Sequence, residues 1–267
     1  MTSKKKITII GSGNIGTAIY KGIISSGSYI PSDFTLTRRR IELLEEYKVA
    51  GVNVTTDNVA AVKASDLIIL TVLPKQLLYI LDEIKPALGS SKTIVSVVTA
   101  YTIEEIKDRI GNKCPVVLAM PNTAVAVGES MTCLATGKED LDKLGVVKDV
   151  FNLAGEVLVI PEQLMGGATI LAACGVAFFM RYVRAASQGG IQVGFHASEA
   201  QLIAAQTAKG AAKLLLESGN HPETEIDKVT TPMGCTIAGL NEMEHNGMSS
   251  ALIKGIIASY SELKKLK

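Results

Sequence analysis

Short runs of β-branched and aliphatic residues mark the first part of the chain: ITII at 7–10, FTLT at 34–37, DLIILTV at 66–72, TIVSVV at 93–98 and VVLAM at 116–120. They alternate with helical stretches as far as Pro161, and beyond it they stop. Strands separated by helices can pair side by side only in parallel, with the helices packed on the sheet faces, so this rhythm predicts a doubly wound α/β sheet. After Pro161 long Ala-rich stretches take over, Gly167 to Ser187, Ala197 to Ser218, Thr236 to Glu244 and Ser249 to Lys264, and predict an all-α region. At 267 residues there is room for two modest domains, expected at 1–161 and 162–267. No internal repeat or low-complexity tract interrupts either half.

The later helices carry apolar residues around more than one face. About a hundred such residues make a poor isolated domain, so packing against a second copy, as a homodimer or larger homo-oligomer, is expected. Lys and Arg number 27 against 26 Asp and Glu, a formal charge of +1, so no broad basic field draws nucleic acid or a membrane surface. A small polar ligand is the expected partner. Cys114, Cys133, Cys174 and Cys235 form no CxxC pair, and with three scattered histidines they offer no metal-ligand spacing. MTSKKK leads directly into the first strand, and the longest apolar run, near Ala168 to Met180, looks too short to span a bilayer. A reduced, metal-free cytoplasmic protein is expected.

The first strand ends in Gly11-Ser12-Gly13-Asn14-Ile15-Gly16, followed by the helical pattern TAIYKGIISSG. This is GxGxxG in a strand-turn-helix setting, the dinucleotide-binding turn of a Rossmann-type domain. Gly11 permits the tight turn, Gly13 lets a pyrophosphate approach the backbone, and Gly16 permits helix-on-strand packing. At the end of the second strand, where NAD-binding proteins place an acid for the ribose hydroxyls, stand Thr37, Arg38, Arg39 and Arg40. Guanidinium groups can fork onto a 2′-phosphate, so NADPH is favoured, with NADH possible. At least one of the three arginines is expected merely to begin a solvated helix with Glu42, Glu45 and Glu46, leaving Arg38 and Arg39 for the phosphate.

A nicotinamide enzyme also needs its substrate held against the ring and a polar group beside the atom that gains electrons. His196, His221 and His245 each lie near a predicted helix end, where surface histidines are common. The stretch VTTPMGCTIAGL at 229–240 is more informative. Thr230 or Thr231 can cap a helix, Pro232 fits an early turn, and Gly234 allows close backbone approach. The same helix start can bind an anion, with the Thr236 hydroxyl beside it.

That stretch resembles the signature of pyrroline-5-carboxylate reductases, usually VTSPGGTTIxxL. GSGNIGTAI is similar to the family's GGGNMAxAI, LTVLPKQ at 70–76 stands where it has AVKPQ, and MPNT with VGES at 120–130 is similar to MPNTPAxVGEG. AAKLLLESGNHP at 211–222 is close to the family's form as well. The resemblance implies a Rossmann domain followed by a helical domain interlocked with its partner's, reducing a cyclic imine to proline with NADPH or NADH, the last step of proline biosynthesis. It implies that Thr236 hydrogen-bonds the ring nitrogen, and that the Thr231 hydroxyl, the Gly234 turn and the N–H groups of Cys235 and Thr236 hold the carboxylate. For the cofactor it adds Asn58 toward the adenosine ribose and Val72, Leu73 and Pro74 beside the nicotinamide half.

Several positions depart from the pattern. The usual SGSGPAY is Ala172 to Phe178, the signature's first glycine is Met233, the usual Lys of VKPQ is Leu73, the Pro after MPNT is Ala124, and AAG is Val98-Thr99-Ala100. These are either neutral repacking or a pocket re-cut for another imine or carbonyl. Two alternatives follow: a β-hydroxyacid-type dehydrogenase, for which Lys209 and Lys213 are the central acid-base candidates, and an NADPH-binding homologue without turnover.

Overall fold

The computed structural model describes residues 4–263 and 265. Along the chain run β1 (Ile7–Ile10), α1 (Asn14–Ser25), β2 (Phe34–Thr37), α2 (Glu45–Val49), β3 (Asn53–Thr55), α3 (Asn58–Lys63), β4 (Leu67–Leu70), α4 (Pro74–Ile84), β5 (Thr93–Ser96) and α5 (Ile103–Ile110). Then come β6 (Val116–Met120), β7 (Ser130–Thr136), α6 (Leu141–Asn152) and β8 (Gly155–Val159). The eight strands form one sheet in the order β3-β2-β1-β4-β5-β6-β7-β8.

From β3 to β6 every pairing is parallel, with Ile9 of β1 set between Leu36 of β2 and Ile69 of β4. Such strands are covered on both faces, which is why β1, β4 and β6 are apolar or small throughout and buried at every position. One face packs Ile19, Ile23, Phe34 and Phe151, and the other packs Leu77, Leu81, Ile84 and Ile106. The expected parallel sheet is extended by two strands at one edge: β7 pairs antiparallel with β6, with Met120 opposite Cys133, and β8 runs parallel to β7. Chain order reverses between β1 and β4, and that switch point opens a crevice at the strand carboxyl ends.

The helical half comprises α7 (Met165–Ala168), a π-helical turn at Thr169–Cys174, α8 (Gly175–Gln192), α9 (Ala197–Ser218), α10 (Pro222–Lys228), α11 (Cys235–His245) and α12 (Met248–Leu263). Two compact units divide the molecule. One contains the sheet, runs to Val176 and takes back the chain from Tyr260 onward; the other is Ala177–Ser259. Among the described residues of this second unit only Ser187, Ala200 and Ala204 are buried, and Phe179, Leu202, Leu216 and Ile257 are largely exposed. A unit of helices with so little interior has its apolar faces turned outward.

One expectation requires correction. The helix spanning Glu162–Gln192 is 31 residues long with a mean hydropathy of 1.7 in its most apolar window, long and apolar enough by length and composition to cross a bilayer. Counting only the uninterrupted run from Ala168 to Met180 missed this, because the helix begins before that run, at Glu162, and continues beyond it to Gln192.

Candidate active site

One candidate region is the turn after β1, within the unit that contains the sheet. Gly11 takes φ +87°, and its N–H and that of Ser12 donate to the Thr37 carbonyl at 3.1 and 2.9 Å. A Cβ on Gly11 would lie 2.6 Å from Val72 Cγ1, and one on Gly16 would lie 2.7 Å from Thr71 Oγ1, so both glycines are required by packing. Gly13 differs: the nearest atom to a Cβ there is Gly11 O at 3.7 Å, so packing within the chain does not require this glycine. Gly13 is also the N-cap of α1 and supplies no capping side chain, so the first-turn N–H groups of Asn14, Ile15 and Gly16 have no intrahelical acceptor. This is the cradle a pyrophosphate fits.

Ser12 and Thr37 are buried, and their side chains hold the turn from behind. The Ser12 hydroxyl donates to Ile9 O at 3.0 Å, and the Thr37 hydroxyl donates to Asn58 Oδ1 at 2.6 Å. Both side chains are thus engaged within the framework of the turn. Half-exposed Arg38 reaches back to Ser12 O at 3.3 Å and stands at the turn, Arg39 is exposed, and Arg40 pairs with Glu42 at 3.0 Å. Arg40 is thus the arginine engaged with the acidic residues that follow it, through Glu42. Across the crevice, Val72 and the exposed Leu73 lead from β4 into Pro74, the first residue of α4.

A separate candidate region, in the helical unit, is the signature stretch. The Gly234 N–H donates to the Thr231 carbonyl at 3.0 Å, closing a turn with Pro232 and Met233 at its centre. Met233 has φ +57° and is fully exposed. Neither threonine caps the helix as expected: Thr230 Oγ1 donates back to Ile226 O at 2.8 Å, and the N-cap of α11 is Gly234, without a side-chain cap. Pro232 lies in the turn before the helix. A Cβ on Gly234 would sit 2.5 Å from Thr231 Oγ1, so the absent side chain is what lets that hydroxyl stand beside the helix start. The first-turn N–H groups of Cys235 and Thr236 are open, both residues are exposed, and Thr231, Gly234, Cys235 and Thr236 come together at one uncapped helix start, a geometry that suits an anion.

Two departures from the family pattern share a physical feature. Met233 and Ala100 replace glycines of that pattern, and both keep a left-handed backbone, at φ +57° and +72°. The main-chain path of a glycine is retained and a side chain is added to it. Within Ala172 to Phe178, the Ala172 carbonyl belongs to the π-helical turn and accepts from Asn122 Nδ2 at 3.3 Å. Asn122, from the MPNT motif, also accepts from Ala124 N at 2.9 Å and so ties that motif to the helix.

The remaining histidine and lysine candidates lie on, or at the ends of, the helices of the second half. His196 and His221 are N-caps of α9 and α10, and His245 ends α11. Lys213 pairs with Glu217 on the exposed side of α9, and Lys209 is exposed. Burial pushes the Cys114 thiol up to about 11 and raises that of Cys133, which makes both poor nucleophiles. Among the described residues no cluster of three or more His, Cys, Asp or Glu side chains is arranged to hold a metal.

Comparison with known proteins finds two family models, each matching a different part of the chain. Residues 162–266 match the family model described as pyrroline-5-carboxylate reductase dimerisation, and residues 6–100 match NADP oxidoreductase, coenzyme F420-dependent. Pyrroline-5-carboxylate reductase 2 of Dictyostelium discoideum is 44% identical over 99% of this chain and 94% of its own length. Pyrroline-5-carboxylate reductase 1 of the same organism is 47% identical over 97% of this chain, which spans only 49% of that relative. A Plasmodium falciparum pyrroline carboxylate reductase solved with NADP bound has a TM-score of 0.90 at 24% identity, covering 100% of this chain and 99% of its own, a likeness of fold.

Proposed function

The chain belongs to the pyrroline-5-carboxylate reductase family, and on that footing we propose that it reduces 1-pyrroline-5-carboxylate to L-proline with NADPH, the last step of proline biosynthesis. The observation that carries the reading is the signature turn, where an uncapped helix start and the hydroxyl of Thr236 stand together on an exposed surface. An imino acid offers the matching pair of groups, a carboxylate and a ring nitrogen.

The reduced nicotinamide supplies the hydride. The first-turn N–H groups of α11, with Thr231, hold the substrate carboxylate, so that the ring nitrogen falls to Thr236. A hydroxyl is both donor and acceptor: Thr236 accepts from the N–H of the protonated imine and can donate to the amine lone pair of the product. The same residue thus serves the nitrogen before and after reduction without changing its own protonation. The proton on that nitrogen belongs to the substrate, which makes the imine carbon electrophilic. Asn14, Ile15 and Gly16 bind the pyrophosphate by their N–H groups, and Arg38 and Arg39 take the 2′-phosphate that distinguishes NADPH from NADH.

The exposed apolar helices of the second unit support association with further copies of the chain, in keeping with the matched dimerisation segment, and we read the long apolar helix as part of that interface rather than as a membrane span. Four free cysteines are in keeping with a reducing cytoplasm. Oxidation of NADPH on addition of racemic 1-pyrroline-5-carboxylate, with proline as product, tests the activity. Oxidation only with a 3-hydroxyacid carbonyl partner would favour the β-hydroxyacid-type dehydrogenase, and binding of NADPH with no turnover would favour the non-catalytic homologue.

A further inference from the structure

We infer that Glu83 is a positioning residue of the cofactor site, which fixes the carboxamide of Asn58 so that it meets the cofactor as a hydrogen-bond acceptor. The inference rests on the reading of the crevice as a dinucleotide site and deepens it. Asn58 Nδ2 donates to both carboxylate oxygens of Glu83, each at 3.1 Å, and Asn58 Oδ1 accepts from Thr37 Oγ1 at 2.6 Å. A carboxylate accepts and cannot donate, so the NH2 side of the amide is committed to Glu83. The oxygen must then face Thr37, and the Thr37 hydroxyl must be the donor. The order of donation therefore runs one way, from Thr37 through Asn58 to Glu83.

The frame holding this relay is rigid. Thr37 is buried at the end of β2, and its carbonyl receives the N–H groups of Gly11 and Ser12, so the relay shares a residue with the glycine turn. Glu83 stands one residue before the end of α4, a helix seated on the core through Leu77, Leu81 and Ile84. Its neighbour Asp82 pairs with Arg109 of α5. Among the described residues Glu83 has no lysine or arginine within ion-pair distance, and its carboxylate is given to one amide.

The consequence is chemical selectivity. Asn58 is half-exposed, and Oδ1 keeps one lone pair after accepting from Thr37. The group it takes from the cofactor is a donor, a ribose hydroxyl common to NADPH and NADH, and not a phosphate oxygen. Glu83 therefore supports both cofactors equally, while Arg38 and Arg39 support NADPH alone.

Isothermal titration of NADPH and of NADH into the parent, Glu83→Leu and Glu83→Gln separates these roles. Losing one oriented hydrogen bond, Glu83→Leu should raise both dissociation constants by the same factor, roughly 3- to 12-fold, with the loss appearing in the cofactor KM rather than in kcat. Glu83→Gln, which keeps one acceptor for Asn58 Nδ2 but adds a donor that no longer fixes the amide, should recover only part of it. Asn58→Ala should show the same loss, and adding Glu83→Leu to it should cost nothing more; the same cycle run with Glu83→Ala, which also removes the acceptor, decides the matter if the leucine variant does not fold. Parent-like affinities in Glu83→Leu, or a loss confined to NADPH, would overturn the inference. A parent that binds neither cofactor would overturn the dinucleotide reading itself.

Discussion

The Gly234 amide is 3.0 Å from the Thr231 carbonyl, and the turn this bond closes holds Met233 at φ +57°. A residue with a Cβ costs roughly 1–2 kcal/mol in that conformation, part of which a glycine gives back through its freer unfolded chain. Met233→Gly should therefore stabilise the protein by about 0.5–1 kcal/mol, seen as a rise of a few degrees in Tm. An unchanged or lower Tm would show that the exposed Met233 side chain makes contacts in the assembled protein that outweigh the strain.

Cofactor preference follows from Arg38 at the glycine turn and Arg39 beside it. Each charge-assisted contact to a 2′-phosphate is worth about 1.5–3 kcal/mol when shielded and less when exposed, as Arg39 is. Arg38→Ala with Arg39→Ala should raise the KM for NADPH at least about tenfold and leave NADH nearly untouched. Equal losses with both cofactors would assign the arginines a structural role only.

Association is the third expectation. With Ser187, Ala200 and Ala204 as the buried residues described between Ala177 and Ser259, this unit lacks an interior of its own, and light scattering at micromolar concentration should show at least a dimer. A folded monomer would contradict it.

Acid stability should depend on Asp33. Burial pushes its carboxyl up, but the Lys6 ammonium at 2.8 Å and the Ile30 N–H at 3.0 Å outweigh this and hold it below its usual 3.8. A depressed carboxyl stabilises the fold fully above its unfolded value and ceases to do so as pH falls through the folded one. Asp33→Asn should thus be less stable than the parent in urea at pH 7, and the gap should close below about pH 3.8. A gap of constant size down to pH 2 would exclude the ion pair as its cause.

The strands with dense aliphatic runs were legible in the sequence because a doubly covered parallel strand must be apolar on both faces. The short β3, and β7 and β8 at the sheet edge, were not: SMTCLAT mixes small polar and apolar residues, and GEVLV is half-exposed. The glycine turn was legible because only glycine meets its steric demands at Gly11 and Gly16. The cap of α11 was misread, since Thr231 and Gly234 are equally good N-cap types and the turn around Pro232 decides between them. Glu83 was invisible, lying 25 residues from Asn58 in an ordinary helical pattern.

If the Thr236 hydroxyl serves the imine nitrogen, the kcat/KM of Thr236→Val with 1-pyrroline-5-carboxylate must fall. Valine keeps the shape and removes the hydrogen bond, worth about 1.5–3 kcal/mol to a partly charged atom, so a loss of roughly 10- to 150-fold is expected, with Thr236→Ser losing far less. Reduction of the substrate by Thr236→Val at the parent rate would contradict the account.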